Sequence, residues 1–220
     1  MKIILFGATG MVGQGVLREC LADPGVERVL AVGRAPLAVQ SERLVELRLA
    51  SFLDYSRVEA ELAGYDACLF CLGVSSVGLG EAEYRRITHD YTLAAAQVLA
   101  RLDPGMRFLY VSGAGTDRDA RSMWARVKGE TEDALLALPF RSAHMLRPGF
   151  IQPLHGIRSK TRAYRIIYAL MAPLTPLLKW LAPGSVLTTG SLGRAMVRIA
   201  REGHAKARLE IADLQQLAGD

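Results

Sequence analysis

Gly7-Ala8-Thr9-Gly10-Met11-Val12-Gly13 is the stretch of this chain best suited to chemistry, and the chemistry is the holding of a phosphate. It follows an apolar run, Ile3-Ile4-Leu5-Phe6, and leads into a helical pattern of Val12, Val16, Leu17 and Leu21. A chain leaving a strand for a helix must turn sharply, and glycine permits that turn without a Cβ clash. With no side chain at Gly7 and Gly10, a phosphate can approach the N–H groups of the helix's first turn, where the helix dipole favours negative charge. Thr9, Met11 and Val12 belong to the same turn, while Gly13 lets helix and strand pack closely. The spacing is G-x-x-G-x-x-G rather than the commoner G-x-G-x-x-G, and its place after a strand and before a helix marks a dinucleotide site.

The second strand, Val29-Leu30-Ala31-Val32, ends in Gly33-Arg34. An acid for the ribose 2′-hydroxyl of NAD would stand there, about 20 residues past the glycines. An arginine fork suits a 2′-phosphate instead, so NADP is the expected cofactor and NAD the less favoured one. Asp54 is read both as a helix N-cap and as a residue close to an adenine ring. Cys71-Leu72-Gly73 ends a buried strand and opens a small, hydroxylic loop, Gly73 to Gly78, suited to passing over a cofactor. Cys68 and Cys71 are C-x-x-C in form. On a strand, residues three apart face opposite sides, so neither a shared metal nor a disulfide is expected.

The elements that must position these residues alternate. Strands are expected near 3–6, 29–32, 44–49, 65–73, 107–111 and 143–146. Helices follow the glycine turn and Asp54, then cover Glu81 to Leu102 and 121–138. Such alternation with short links implies an α/β fold with a doubly wound parallel sheet, its ligands beyond the carboxyl ends of the strands. Past Phe150 the alternation stops. An apolar stretch, Ala163 to Leu181, is broken by Pro173 and Pro176 and preceded by Arg158, Lys160 and Arg162. A helical lid over 150–185 is its first reading and a membrane-surface patch the second. Ser191 to Arg201 reads as a surface helix, and Leu209 to Ile211 as a last strand before a frayed tail.

The 220 residues are expected to form a single domain. The net charge of +5 is uneven: Arg141 to Arg208 carries twelve Lys or Arg and one acid, Glu202. That balance suits a phosphorylated cofactor, an anionic small-molecule substrate or an anionic membrane, with a nucleic acid last. No aromatic-basic motif or helix-turn-helix signature appears, so no nucleic-acid partner is expected, and no spacing suggests a metal. The odd cysteine count and the lack of a signal pattern lead us to expect a cytoplasmic protein, monomeric or homodimeric.

Together, Gly7 to Gly13, Arg34, Cys71-Leu72-Gly73, Val127-Lys128-Gly129-Glu130 and Leu146-Arg147-Pro148-Gly149 resemble the atypical short-chain dehydrogenase/reductases. The resemblance is to the branch of the Tat-interacting tumour-suppressor oxidoreductase and bacterial proteins labelled nucleoside-diphosphate-sugar epimerase-like. It implies a Rossmann-type domain binding NADP, with Pro148 near the cofactor. It also implies catalysis by a serine and by a tyrosine four residues before a lysine. Positions i and i+4 share a helix face, so the ammonium lowers the phenol's pKa while holding the nicotinamide ribose. Lys128 matches the lysine and Ser112 the serine, and Asp90 falls where relatives carry an asparagine. Trp124 stands where the tyrosine should be. An indole N–H donates but does not titrate near neutrality. Two classes of function follow: an NADP-dependent reductase or epimerase with a rearranged site, or an NADP-binding sensor in which Trp124 packs over the nicotinamide and Lys128 anchors its ribose.

Overall fold

Continuous apolar runs along the central strands give the sheet two apolar faces, and the computed structural model, which describes residues 1–154, 156 and 186–219, covers both. β1 (Lys2–Phe6) sends Ile3 and Leu5 to one face and Ile4 and Phe6 to the other. The first face is covered by α1 (Met11–Ala22), α6 (Thr189–Glu202) and α7 (Ile211–Ala218) through Val16, Leu17, Leu192, Met196 and Leu214. The opposite face is covered by α4 (Tyr91–Leu102) and α5 (Met123–Leu136) through Ala95, Ala96, Leu99 and Leu135. Along that face Phe6 stacks on Phe70 at 5.0 Å and Phe70 on Phe108 at 5.9 Å, an aromatic row crossing three strands. Each such buried side chain contributes about 1.5–3 kcal/mol.

β2 (Arg28–Gly33), β3 (Leu44–Arg48), β4 (Ala67–Phe70), β5 (Arg107–Val111), β6 (Ser142–Arg147) and β9 (Arg208–Glu210) join β1 in one sheet. Its order is β3-β2-β1-β4-β5-β6-β9 and every pairing is parallel. This is the doubly wound, Rossmann-type α/β fold expected. The chain crosses from β3 to β4 past β1, so the order reverses between β1 and β4, and a crevice opens beyond their carboxyl ends. β7 (Phe150–Gln152) and β8 (Val186–Thr188) pair as a separate parallel ribbon.

Several expectations change. Asp54 caps no helix: its Oδ1 accepts from the Ser56 N–H at 3.0 Å and hydroxyl at 2.7 Å, closing a local turn. The single-turn helix α2 (Glu59–Leu62) starts only after Val58. A short polar side chain serves either arrangement, and here the turn prevails. The long helix expected from Glu81 is broken into α3 (Glu81–Arg85), a π turn over Arg86–Asp90, and α4. The helix expected on the surface, α6, is instead buried along most of its length, because Gly190 and Gly193 admit Glu19 of α1. The expected frayed tail is α7, opened by a capping box between Glu210 and Asp213. The expected lid lies largely outside the described residues. No described helix is long and apolar enough to cross a membrane.

Candidate functional site

A cleft of about 910 Å³ runs over the carboxyl ends of β1, β4 and β5. At one end stand Gly7, Thr9, Gly10, Met11, Val12, Arg34, Cys71, Leu72 and Gly73; at the other, Ser112, Trp124, Lys128 and Pro148. A smaller recess of about 140 Å³ adjoins the first end and is lined by Gly7, Thr9, Arg34, Arg48 and Phe52 among others.

The glycine turn is shaped as a phosphate needs. Gly7 has φ +78, and a Cβ there would fall 2.6 Å from the Leu72 nitrogen, so a side chain would close the crevice. Gly13 does not line the cleft. A Cβ on it would meet the Gly7 carbonyl oxygen at 2.1 Å, so its place is to seat α1 against the turn. No side chain caps α1, and no acid sits in its first turn. The helix N-terminus therefore faces the cleft with donors and positive potential, which fits a dinucleotide pyrophosphate. Arg34 lies over the Phe52 ring at 5.6 Å and reaches both cavities. Beside it, Arg48 is 3.8 Å from Glu46, which leaves the recess with a net positive charge.

At the far end, α5 presents Trp124 and Lys128 one turn apart on the same face. The Trp124 ring lies along the loop after β5: a Cβ built on Gly113 or on Gly115 would stand 3.8 Å from it. The Lys128 ammonium donates to the Val111 carbonyl oxygen at 3.2 Å and to the Tyr110 phenol at 3.4 Å. Burial pushes it down to about 8, partly opposed by the Glu132 carboxylate. Ser112 is buried, its hydroxyl 3.1 Å from that of Thr116. Glu132, fully buried one turn past Lys128, accepts from Arg147 Nε at 3.0 Å and Nη2 at 2.7 Å, and from Arg208 Nε at 3.0 Å. The arginine of Arg147-Pro148-Gly149 thus ties the end of β6 to α5. Ion pairs Arg126–Glu81, at 2.7 Å, and Arg85–Glu130 hold α3 against α5 and bring Tyr84 to the cleft wall.

Besides Gly13, two of the residues singled out lie elsewhere. Asp54 is exposed in its turn and lines neither cavity. Asp90 pairs with His89 Nδ1 at 2.9 Å. On its helix the cleft stripe is Tyr84, Ile87 and Tyr91, at i, i+3 and i+7, and Asp90 falls beside that stripe. Arg48, Phe52, Ile87 and Ile151 line the cavities without having been foreseen. Arg48, a cation at a strand end like Arg34, was the one with a readable signal. Cys68 and Cys71 do face opposite sides, packing against different halves of the core. Burial pushes both thiols far up, so neither is a ready nucleophile.

A doubly wound sheet with a glycine turn at its switch point and a serine and lysine farther along the same cleft defines a nicotinamide-dinucleotide-binding protein of the short-chain dehydrogenase/reductase kind. The chain belongs to the NAD dependent epimerase/dehydratase family, whose profile matches residues 3–123. It is 31% identical over 168 residues to "Protein fmp52, mitochondrial" of Emericella nidulans, covering 73% of this chain and 70% of that protein. It is 27% identical over 152 residues to "Protein HTATIP2" of Rattus norvegicus, covering 68% of this chain and 62% of that one. Among solved structures, dTDP-glucose 4,6-dehydratase DesIV from Streptomyces venezuelae, determined with NAD and TYD bound, shares the fold. Its TM-score is 0.71 at 15% identity, with 100% of this chain and 79% of that chain covered. The expected cytoplasmic location is corrected by these comparisons, since fungal relatives from three species are named mitochondrial.

Proposed function

We propose that this protein binds NADP(H) along the cleft and reduces the carbonyl group of a small molecule, slowly, because Trp124 stands where a phenol would donate. The observation that carries this reading is the continuity of the cleft from Arg34 and the glycine turn to Ser112 and Lys128. Arg34, helped by Arg48, would hold the 2′-phosphate, which favours NADP over NAD. The α1 N-terminus would hold the pyrophosphate, and Lys128 the nicotinamide ribose. When bound, NADPH supplies a hydride to the carbonyl carbon. Ser112 would hold the carbonyl oxygen, and the proton would come from the Lys128 ammonium, since its lowered pKa makes it a usable acid near neutrality. The indole of Trp124 is a wall of the site rather than an acid.

That same indole favours a second reading, an NADP(H)-binding sensor without turnover. The two separate in one experiment: titrate the protein with NADPH, then follow NADPH oxidation across a panel of carbonyl compounds, with Lys128→Ala beside it. Saturable binding with slow oxidation that the substitution abolishes supports the reductase. Binding without oxidation on any compound supports the sensor, and no binding removes both.

A further inference from the structure

The two ends of the cleft differ in charge. Arg34 and the N-terminus of α1 stand at the nucleotide end, while the substrate end is walled by Val74, Val77, Ile87, Trp124, Pro148 and Ile151. Among the described residues, Lys128 is the only charged side chain lining that end, and its ammonium already donates to Val111 and Tyr110. The polar groups beside it are hydroxyls, those of Ser75, Ser76, Ser112 and Tyr84. Among the described residues lining that end there is no arginine, histidine, carboxylate or side-chain amide.

The rim repeats the pattern. Val74 is 42% exposed and Val77 67%, and they are two of the four large apolar side chains exposed on the described surface. Both sit on the loop after β4, at the cleft. Scattered apolar side chains are ordinary on a surface, but two on one rim, continuous with an apolar wall, mark a place for a ligand. A carboxylate or diphosphate moved here would lose its water and find, among the described residues, one ammonium already engaged, an arrangement that disfavours burial of charge. A flat apolar ring would gain from burial and could lie on the Trp124 face.

We infer that the substrate end of the cleft takes an uncharged aromatic aldehyde or ketone, and neither a sugar nucleotide nor a carboxylate. This rests on the carbonyl-reductase reading above and departs from the anionic substrate that the basic C-terminal half led us to expect.

The test is calorimetric binding to the full-length protein loaded with NADP⁺, so that no turnover intervenes. The ligands are acetophenone, its para-carboxylated analogue and UDP-glucose. Acetophenone should bind at least about tenfold more tightly than the carboxylated analogue, and UDP-glucose should not bind. Equal or tighter binding of either anion would overturn the inference. If NADP⁺ itself fails to load, the proposed function falls; if it loads and the anions win, only the substrate class falls. Val77→Lys, at an exposed position on the loop after β4, should shift the preference toward the carboxylate. A preference that does not move would remove that loop from the site and overturn the assignment of the wall.

Discussion

The nucleotide end and the substrate end of this cleft are built at equivalent places, just past the carboxyl ends of parallel strands, but from different material. At the nucleotide end it is the backbone that is shaped for binding. Gly7 turns at φ +78, Gly13 lets α1 sit on the Gly7 carbonyl, and an uncapped helix offers its N–H groups. At the substrate end the lining groups are side chains brought from separate stretches: Tyr84 and Ile87 from α3 and the π turn, Ser112 from the loop after β5, Trp124 and Lys128 from α5. A site made of backbone persists as long as its glycines do. One made of side chains can change its chemistry at a single substitution with the fold intact, and Trp124, one turn before Lys128, is the position where the proposed function places that sensitivity.

Breaking the substrate end should give the largest effect. Trp124→Tyr places a phenol one turn before Lys128, and general acid catalysis contributes about 10²–10⁴-fold. Carbonyl reduction in a steady-state assay should rise by an amount in that range and vanish again in the double substitution with Lys128→Ala. An unchanged rate would mean that the phenol adds nothing to the acid already in place, and would contradict the reading that Trp124 limits turnover.

The nucleotide end breaks through packing. Gly13→Ala drives a Cβ into the Gly7 carbonyl oxygen, at 2.1 Å in the present backbone, so α1 must move. A loss of about 1–3 kcal/mol in denaturant unfolding is expected, with weaker NADPH binding. Full stability and affinity would show that the turn tolerates the shift.

A smaller effect sharpens the comparison through pH. The Lys128 ammonium is lowered to about 8. An acid must carry its proton, so reduction should be constant on the acid side and fall as pH rises through about 8. Stability runs the other way. From about 8 up to the ordinary lysine value of 10.5, the unfolded chain binds the proton that the folded one has released, so the Lys128 contribution rises with pH across that window. Lys128→Met should abolish reduction at every pH and remove the rise in stability between about 8 and 10.5.

The same contrast explains what could be read in advance. The strand, glycine turn and helix at the N-terminus follow from periodicity and local turn chemistry, and their pattern survives folding. Asp54 misled because an Asx-type turn and a helix N-cap use the same side chain, and only the Ser56 contact decides between them. The π turn before Tyr91 has no sequence signature, so the break in the long helix from Glu81 was not legible. The burial of α6 had a signal in Gly190 and Gly193, small residues on the face opposite its apolar stripe, but a single-face reading of the helix passed over them. Glu132 and Arg147 meet only when β6 packs beside α5, a long-range event that no local pattern announces.

The joining of Arg34 to cofactor choice is tested most directly by measuring dissociation constants for NADPH and NADH on the unmodified protein and on Arg34→Ala. A charge-assisted contact of about 1.5–3 kcal/mol should make NADPH the tighter ligand by roughly 10–100-fold, and the substitution should remove most of that difference. Equal constants for the two nucleotides in the unmodified protein, or a tighter NADH, would contradict it.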